Sequence, residues 1–156
     1  MSMVTQTVIM ETLAETLQRT GEAVIPAGGA SMGGEFLRAR GLVVRALGGM
    51  TPRWGDVLVY RRDDRWVAHR IIWRLPQGWI TKGDANWAPD RPIVAFADGV
   101  GLVTGLKMEE GILPLRHGRR RAADLWRALT GLGAALLWTT PNRIGLTRRG
   151  AHRADR

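Results

Sequence analysis

Between Glu22 and about Leu113 the chain is cut into short apolar runs by turn-forming residues, and no other feature narrows its fold so far. Ala23-Val24-Ile25-Pro26 reads as extended chain. Gly41-Leu42-Val43-Val44-Arg45 is a β-type run that Gly48-Gly49 and Pro52 break. Asp56 to Arg61 follows, closed by the turn residues Asp63-Asp64. Arg65 to Arg74 alternates and then turns at Pro76-Gln77-Gly78, which predicts a hairpin with Trp79-Ile80-Thr81. Pro92 to Ala97 and Val100 to Leu106 supply two more short strands. Many short strands with regular turn signals predict a mainly β domain over residues 22–115, a coiled sheet or barrel-like.

The flanks follow another period. Ile9, Leu13 and Leu17 recur four residues apart, so Thr7 to Thr20 reads as one helix that Gly21 ends. Residues 1–21 thus form an N-terminal helical segment. After Arg116, the residues Leu125, Trp126, Leu129, Leu132, Leu136 and Leu137 fall on one helical face, and Pro141 stops the pattern. Residues 116–156 read as a basic helix and tail. They carry ten arginines against two aspartates, eight of the chain's net charge of +9. Such a tail suits an anionic partner: a membrane surface met by an amphipathic helix over residues 119–138, or, less expected, nucleic acid. The plain alternative is that this helix packs on the β domain.

No run reaches the roughly 18 apolar residues of a membrane-spanning helix, and the N-terminus lacks the basic start and apolar stretch of a secretion signal. The expectation is a cytoplasmic or peripherally membrane-associated protein. With no cysteine, disulfides and thiolate metal sites are excluded. The three histidines, His69, His117 and His152, lie too far apart for metal-ligand spacing. No metal or organic cofactor is expected.

Few residues are left to carry chemistry. Ser31 lies in Ala27-Gly28-Gly29-Ala30-Ser31-Met32-Gly33-Gly34, where small neighbours allow a tight turn and the close approach of another backbone. The only other serine is Ser2, so a serine nucleophile points to Ser31. Alone it reads equally as an ordinary loop serine. His69 shares a period-two row with Val67, Ile71 and Trp73, where a histidine is either a packed core residue or a general base. Thr81-Lys82-Gly83-Asp84-Ala85-Asn86 with Asp90 is a polar loop, and a carboxylate there could orient a histidine.

The ordered set resembles the signal peptidase I family: Ser31-Met32, Gly55-Asp56-Val57-Leu58-Val59-Tyr60-Arg61, His69-Arg70-Ile71-Ile72, Lys82-Gly83-Asp84-Ala85-Asn86, Asp90, and Val100-Gly101-Leu102-Val103. The resemblance covers roughly residues 25–106. Most bacterial members and the LexA-type self-cleaving repressors use a lysine base. His69 at that position is similar to the endoplasmic-reticulum and SipW-like branch, which uses Ser, His and Asp. The resemblance implies a serine endopeptidase that removes a leader or signal segment from a precursor peptide. Ser31 is then the nucleophile, His69 the base and Asp90 the orienting carboxylate, six residues beyond Asp84. Gly29, Ala30 and Met32 would support the substrate and the site, and Asp84 would hold its loop through backbone hydrogen bonds. Gly34 stands where the family usually has proline, Gly29 where many members have a serine, and the family's N-terminal membrane anchor is not seen. The alternatives are a non-catalytic peptide-binding domain of the same fold and a nucleic-acid or membrane binder acting through the arginine-rich tail.

Overall fold

A computed structural model describes residues 13–115. Residues 13–20 form a helix, α1, which ends at Gly21 (φ 75°) with the Gly21 N–H on the Leu17 carbonyl at 2.9 Å. The first half of the expected helix, the C-terminal helix at 119–138 and the basic tail lie outside the described residues.

Eight strands follow: β1 (Glu22–Pro26), β2 (Gly41–Ala46), β3 (Val57–Arg62), β4 (Arg65–Leu75), β5 (Gly78–Lys82), β6 (Val94–Ala95), β7 (Gly99–Met108) and β8 (Gly111–Pro114). They make one antiparallel sheet in the order β1-β2-β7-β3-β4-β5-β6, with β8 paired to β7. The fold is therefore mainly β with a short N-terminal helix, and the sheet is open, its path ending at β1 and β6.

Both faces of this sheet carry core, which explains why Val57-Leu58-Val59-Tyr60 is a continuous apolar run instead of an alternating one. Successive side chains point to opposite faces. Val57 and Val59 join Leu42, Val44, Val103 and Leu106, with α1 adding Leu13 and Leu17. Leu58 and Tyr60 join Ile71, Trp79 and Val94 on the other side. All four residues of the run are almost wholly buried.

Two local expectations are corrected. The strand expected over Pro92 to Ala97 shrinks to Val94–Ala95, because the chain then enters a 3₁₀ turn (Phe96–Asp98) that sets the Phe96 ring edge-on to Trp79 at 4.7 Å. The apolar row through His69 stops at Ile71: a bulge between Ile71 and Trp73 shifts the register and turns Trp73, 58% exposed, to the opposite face. Strand β8 and the 3₁₀ turn at Gly34–Arg38 were not legible as elements.

Candidate active site

Three adjacent strands present three polar side chains on one face. His69 on β4 pairs with Leu58, Tyr60 on β3 with Val67, and Thr81 on β5 with Ile71. Tyr60 and Thr81 therefore sit diagonally on either side of His69. After β5 the chain loops out and returns over this face, where the Asp90 N–H donates to the Thr81 carbonyl at 2.8 Å. The Asp90 carboxylate then meets the imidazole, Nδ1 to Oδ2, at 2.7 Å. An ionised carboxylate only accepts, so Nδ1 carries the proton and Nε2 is left as an acceptor.

That acceptor faces Ser31. The Ser31 hydroxyl lies 2.8 Å from His69 Nε2 and donates to it. Ser31 follows β1 in a turn closed by the Gly33 N–H on the Ala30 carbonyl at 3.1 Å, with Met32 buried in the core below. The Ala85 N–H donates to the Ser31 carbonyl at 2.8 Å, tying the serine turn to the loop that carries Asp84 and Asp90. Gly83 makes this contact possible, since a Cβ on it would stand 2.6 Å from the Ser31 carbonyl oxygen. Gly29 and Gly33 both take positive φ, and Gly34, at φ 50°, has a backbone that proline's fixed negative φ forbids. The resembled family's proline does not fit this turn.

Beside Ser31 and His69 opens a cleft of about 930 Å³, lined by Ile25, Gly29, Phe36, Leu42, Trp66 and Ala68 among others. Its walls are two strand edges. Among the described residues β1 pairs with β2 alone and residues 65–69 of β4 with β3 alone, so each leaves a backbone edge unpaired beside the opening. Such edges accept an added strand.

Burial penalises the Asp90 charge, but hydrogen bonds from His69, Thr81 and Tyr60 outweigh it and hold the carboxyl below its ordinary value. Tyr60 is pushed up to about 12, chiefly by burial. Lys82 is fully buried, and desolvation lowers its pKa; its Nζ donates to the Gly83 carbonyl at 3.3 Å rather than to Ser31.

Asp84 faces elsewhere. Its two oxygens take a bidentate pair from Arg70, Nε at 2.8 Å and Nη2 at 2.6 Å, while Arg70 Nη1 donates to the Gly55 carbonyl at 2.8 Å. The expectation of backbone hydrogen bonds at Asp84 is thus corrected to a guanidinium pair. The cause is strand parity, because Arg70 follows His69 and projects from the other face of β4.

Ser31, His69 and Asp90 are brought together, and Met32, Ala30 and Gly29 build the turn beside them. Sequence reasoning missed the roles of Thr81, Tyr60, Arg70 and Gly83. Parity held the signal for Tyr60, whose partner Val67 lies two residues from His69 on the same face of β4. Among the described residues, no group of three or more His, Cys, Asp or Glu side chains could hold a metal ion, and no helix is long and apolar enough to cross a membrane. No family model matches the chain, and no match is found among the curated proteins or the solved structures.

Proposed function

We propose that this protein is a serine endopeptidase of the signal peptidase I type, with that family's coiled catalytic sheet, which cleaves a leader or signal segment from a precursor peptide. The observation that carries the reading is the continuous chain Ser31 Oγ, His69 Nε2, His69 Nδ1, Asp90 Oδ2, with links of 2.8 and 2.7 Å, beside an open cleft.

The precursor lies extended between the free edges of β1 and β4, with small residues before the cut as the resemblance implies. Ser31 Oγ attacks the scissile carbonyl carbon while His69 Nε2 takes its proton. The oxyanion rests on backbone N–H groups such as that of Ser31, because Gly29 brings no hydroxyl to help. The imidazolium, steadied by Asp90, protonates the leaving amine as the C–N bond breaks, leaving an acyl group on Ser31. Water then attacks this ester, giving its proton to His69, and Ser31 recovers its own.

Covalent labelling by a fluorophosphonate, mapped by mass spectrometry, tests this directly. Ser31 is the residue expected to be modified, with no modification in Ser31→Ala or His69→Ala. A folded wild-type protein that is never labelled and cleaves no peptide library is a binding domain, and the protease reading fails. Retained hydrolysis in pure Ser31→Ala protein fails it equally.

A further inference from the structure

Asp90 Oδ2 takes more than the histidine. Thr81 Oγ1 lies 2.7 Å from it and the Tyr60 hydroxyl 3.1 Å, so three donors converge on one carboxylate oxygen. Thr81 Oγ1 also lies 3.4 Å from the Tyr60 hydroxyl. A threonine has one proton to give, and the shorter bond to a charged acceptor is the stronger. The proton therefore goes to Asp90, and the 3.4 Å contact is a neighbour distance only. Thr81 grips Asp90 at two points, since its carbonyl also accepts the Asp90 N–H at 2.8 Å. The donors come from the strands on either side of the one that carries His69, so the carboxylate is held from both flanks. Both donors are buried: Thr81 and Tyr60 are each 0% exposed, which keeps water from substituting for either hydroxyl.

Resting on the reading of Ser31, His69 and Asp90 as a catalytic chain, we propose that Thr81 and Tyr60 are its positioning residues, which fix Oδ2 on the His69 Nδ1–H and so keep Nε2 free to take the serine proton. Neither touches substrate. Each acts through Asp90. The rotation of a carboxylate about its last bond is soft, and with only the histidine to hold it Asp90 would sample orientations in which Nδ1 loses its acceptor. The imidazole would then populate the other tautomer, whose Nε2–H repels the serine proton. The device also opposes burial, which alone would favour a neutral Asp90.

The test reads Asp90 and His69 directly in the full-length protein. Thr81→Val keeps the shape and removes the hydroxyl, Tyr60→Phe removes the second donor, and Thr81→Ser restores the first. Carbon-13 titration of the Asp90 carboxyl is expected to move its midpoint up in Thr81→Val, less in Tyr60→Phe, and back in Thr81→Ser. Nitrogen-15 spectra of His69 are expected to pass from one tautomer to a mixture and back in the same series. Acylation by a fluorophosphonate should slow roughly tenfold in Thr81→Val, the scale of one lost bond to a charged group. An Asp90 midpoint and His69 tautomer unchanged in folded Thr81→Val and Tyr60→Phe overturn the proposal, even with a working protease. A wild-type protein that is never acylated but shows the shifts overturns the protease reading and leaves the clamp standing.

Discussion

Asp84 and Asp90 leave the same loop six residues apart and end in opposite circumstances. Asp84 is locked to a guanidinium through two short bonds, with the Arg70 side chain 6% and the Asp84 side chain 17% exposed. Asp90 is locked to an imidazole through one, backed by two hydroxyls. The difference begins in the strand below, where His69 and Arg70 are consecutive and so project from opposite faces of β4. One face receives a permanent cation and a carboxylate that only neutralises it. The other receives an imidazole held by a carboxylate, facing a serine and a cleft. A single dipeptide thus sends the two carboxylates of one loop to opposite faces of β4.

Two isosteric substitutions test that division. Asp90→Asn is expected to leave the fold intact and cut turnover by about 10⁴, the loss seen when an amide selects the wrong imidazole tautomer in the chymotrypsin-type protease. Asp84→Asn takes one carboxylate oxygen and the negative charge from beside Arg70 in a largely buried position. It should lower stability in urea by about 2–3 kcal/mol, short of the full penalty for a broken buried pair because Asn keeps one acceptor. Its turnover per folded molecule should stay near normal. A folded but inactive Asp84→Asn beside a nearly normal Asp90→Asn would reverse the assignment of the two faces.

The loop also reaches the serine, and Gly83 shows how closely. Its φ is not in the left-handed region, so alanine is conformationally acceptable there, but the new Cβ would sit 2.6 Å from the Ser31 carbonyl oxygen and 3.0 Å from the Ser31 Cβ. The Asn86 amide nitrogen, at 2.8 Å, is the end of a side chain and can turn away, so the backbone of the serine turn is the part that must shift. Gly83→Ala is therefore expected to lower acylation by about 10², the scale of a displacement near 1 Å at a reacting group. A crystal structure should show Ser31 Oγ moved off His69 Nε2. Unchanged acylation would mean that the loop, not the serine, gives way.

The strands from β2 to β5 and β7 were legible in sequence because apolar runs and turn residues agree there. β6 was expected within Pro92 to Ala97 but is shorter than that, and β8 was not read, since a strand of four residues leaves too little pattern. Ser31 stood out by scarcity and His69 by its place in an apolar row. The partners of Asp90 were hidden because Tyr60 and Thr81 lie 30 and 9 residues away from it. Only register brings such distant residues together, and register is set by bulges that composition does not announce. Trp73 shows the limit: strict period two put it on the face of His69, and one bulged residue moved it to the face of Arg70.

Lys82 sharpens the comparison from the other side, with the smallest effect. It pairs across the ladder with Arg70 and is fully buried, yet its ammonium has one carbonyl at 3.3 Å as its hydrogen-bond partner. Desolvation lowers its pKa against the pull of Asp84 and Asp90. The native state thus releases this proton more readily than the unfolded chain, whose lysine holds it to about 10.5. Wherever the unfolded state binds more protons, stability rises with pH, so this residue costs stability at neutral pH and regains it as pH climbs toward 10.5. Tyr60 acts in the opposite sense: its native value of about 12 against an ordinary 10.0 gives stability that is complete below pH 10 and lost between the two. Lys82→Met, close in volume and without charge, is expected to raise stability at pH 7 by about 1 kcal/mol and to flatten the rise below pH 10. It should leave the loss above pH 10 in place, which urea titrations across that range would resolve. Because Lys82 does not bond Ser31, acylation should persist in Lys82→Met. A stable Lys82→Met protein that no longer acylates would make the buried lysine the base and return the site to the lysine-using pattern.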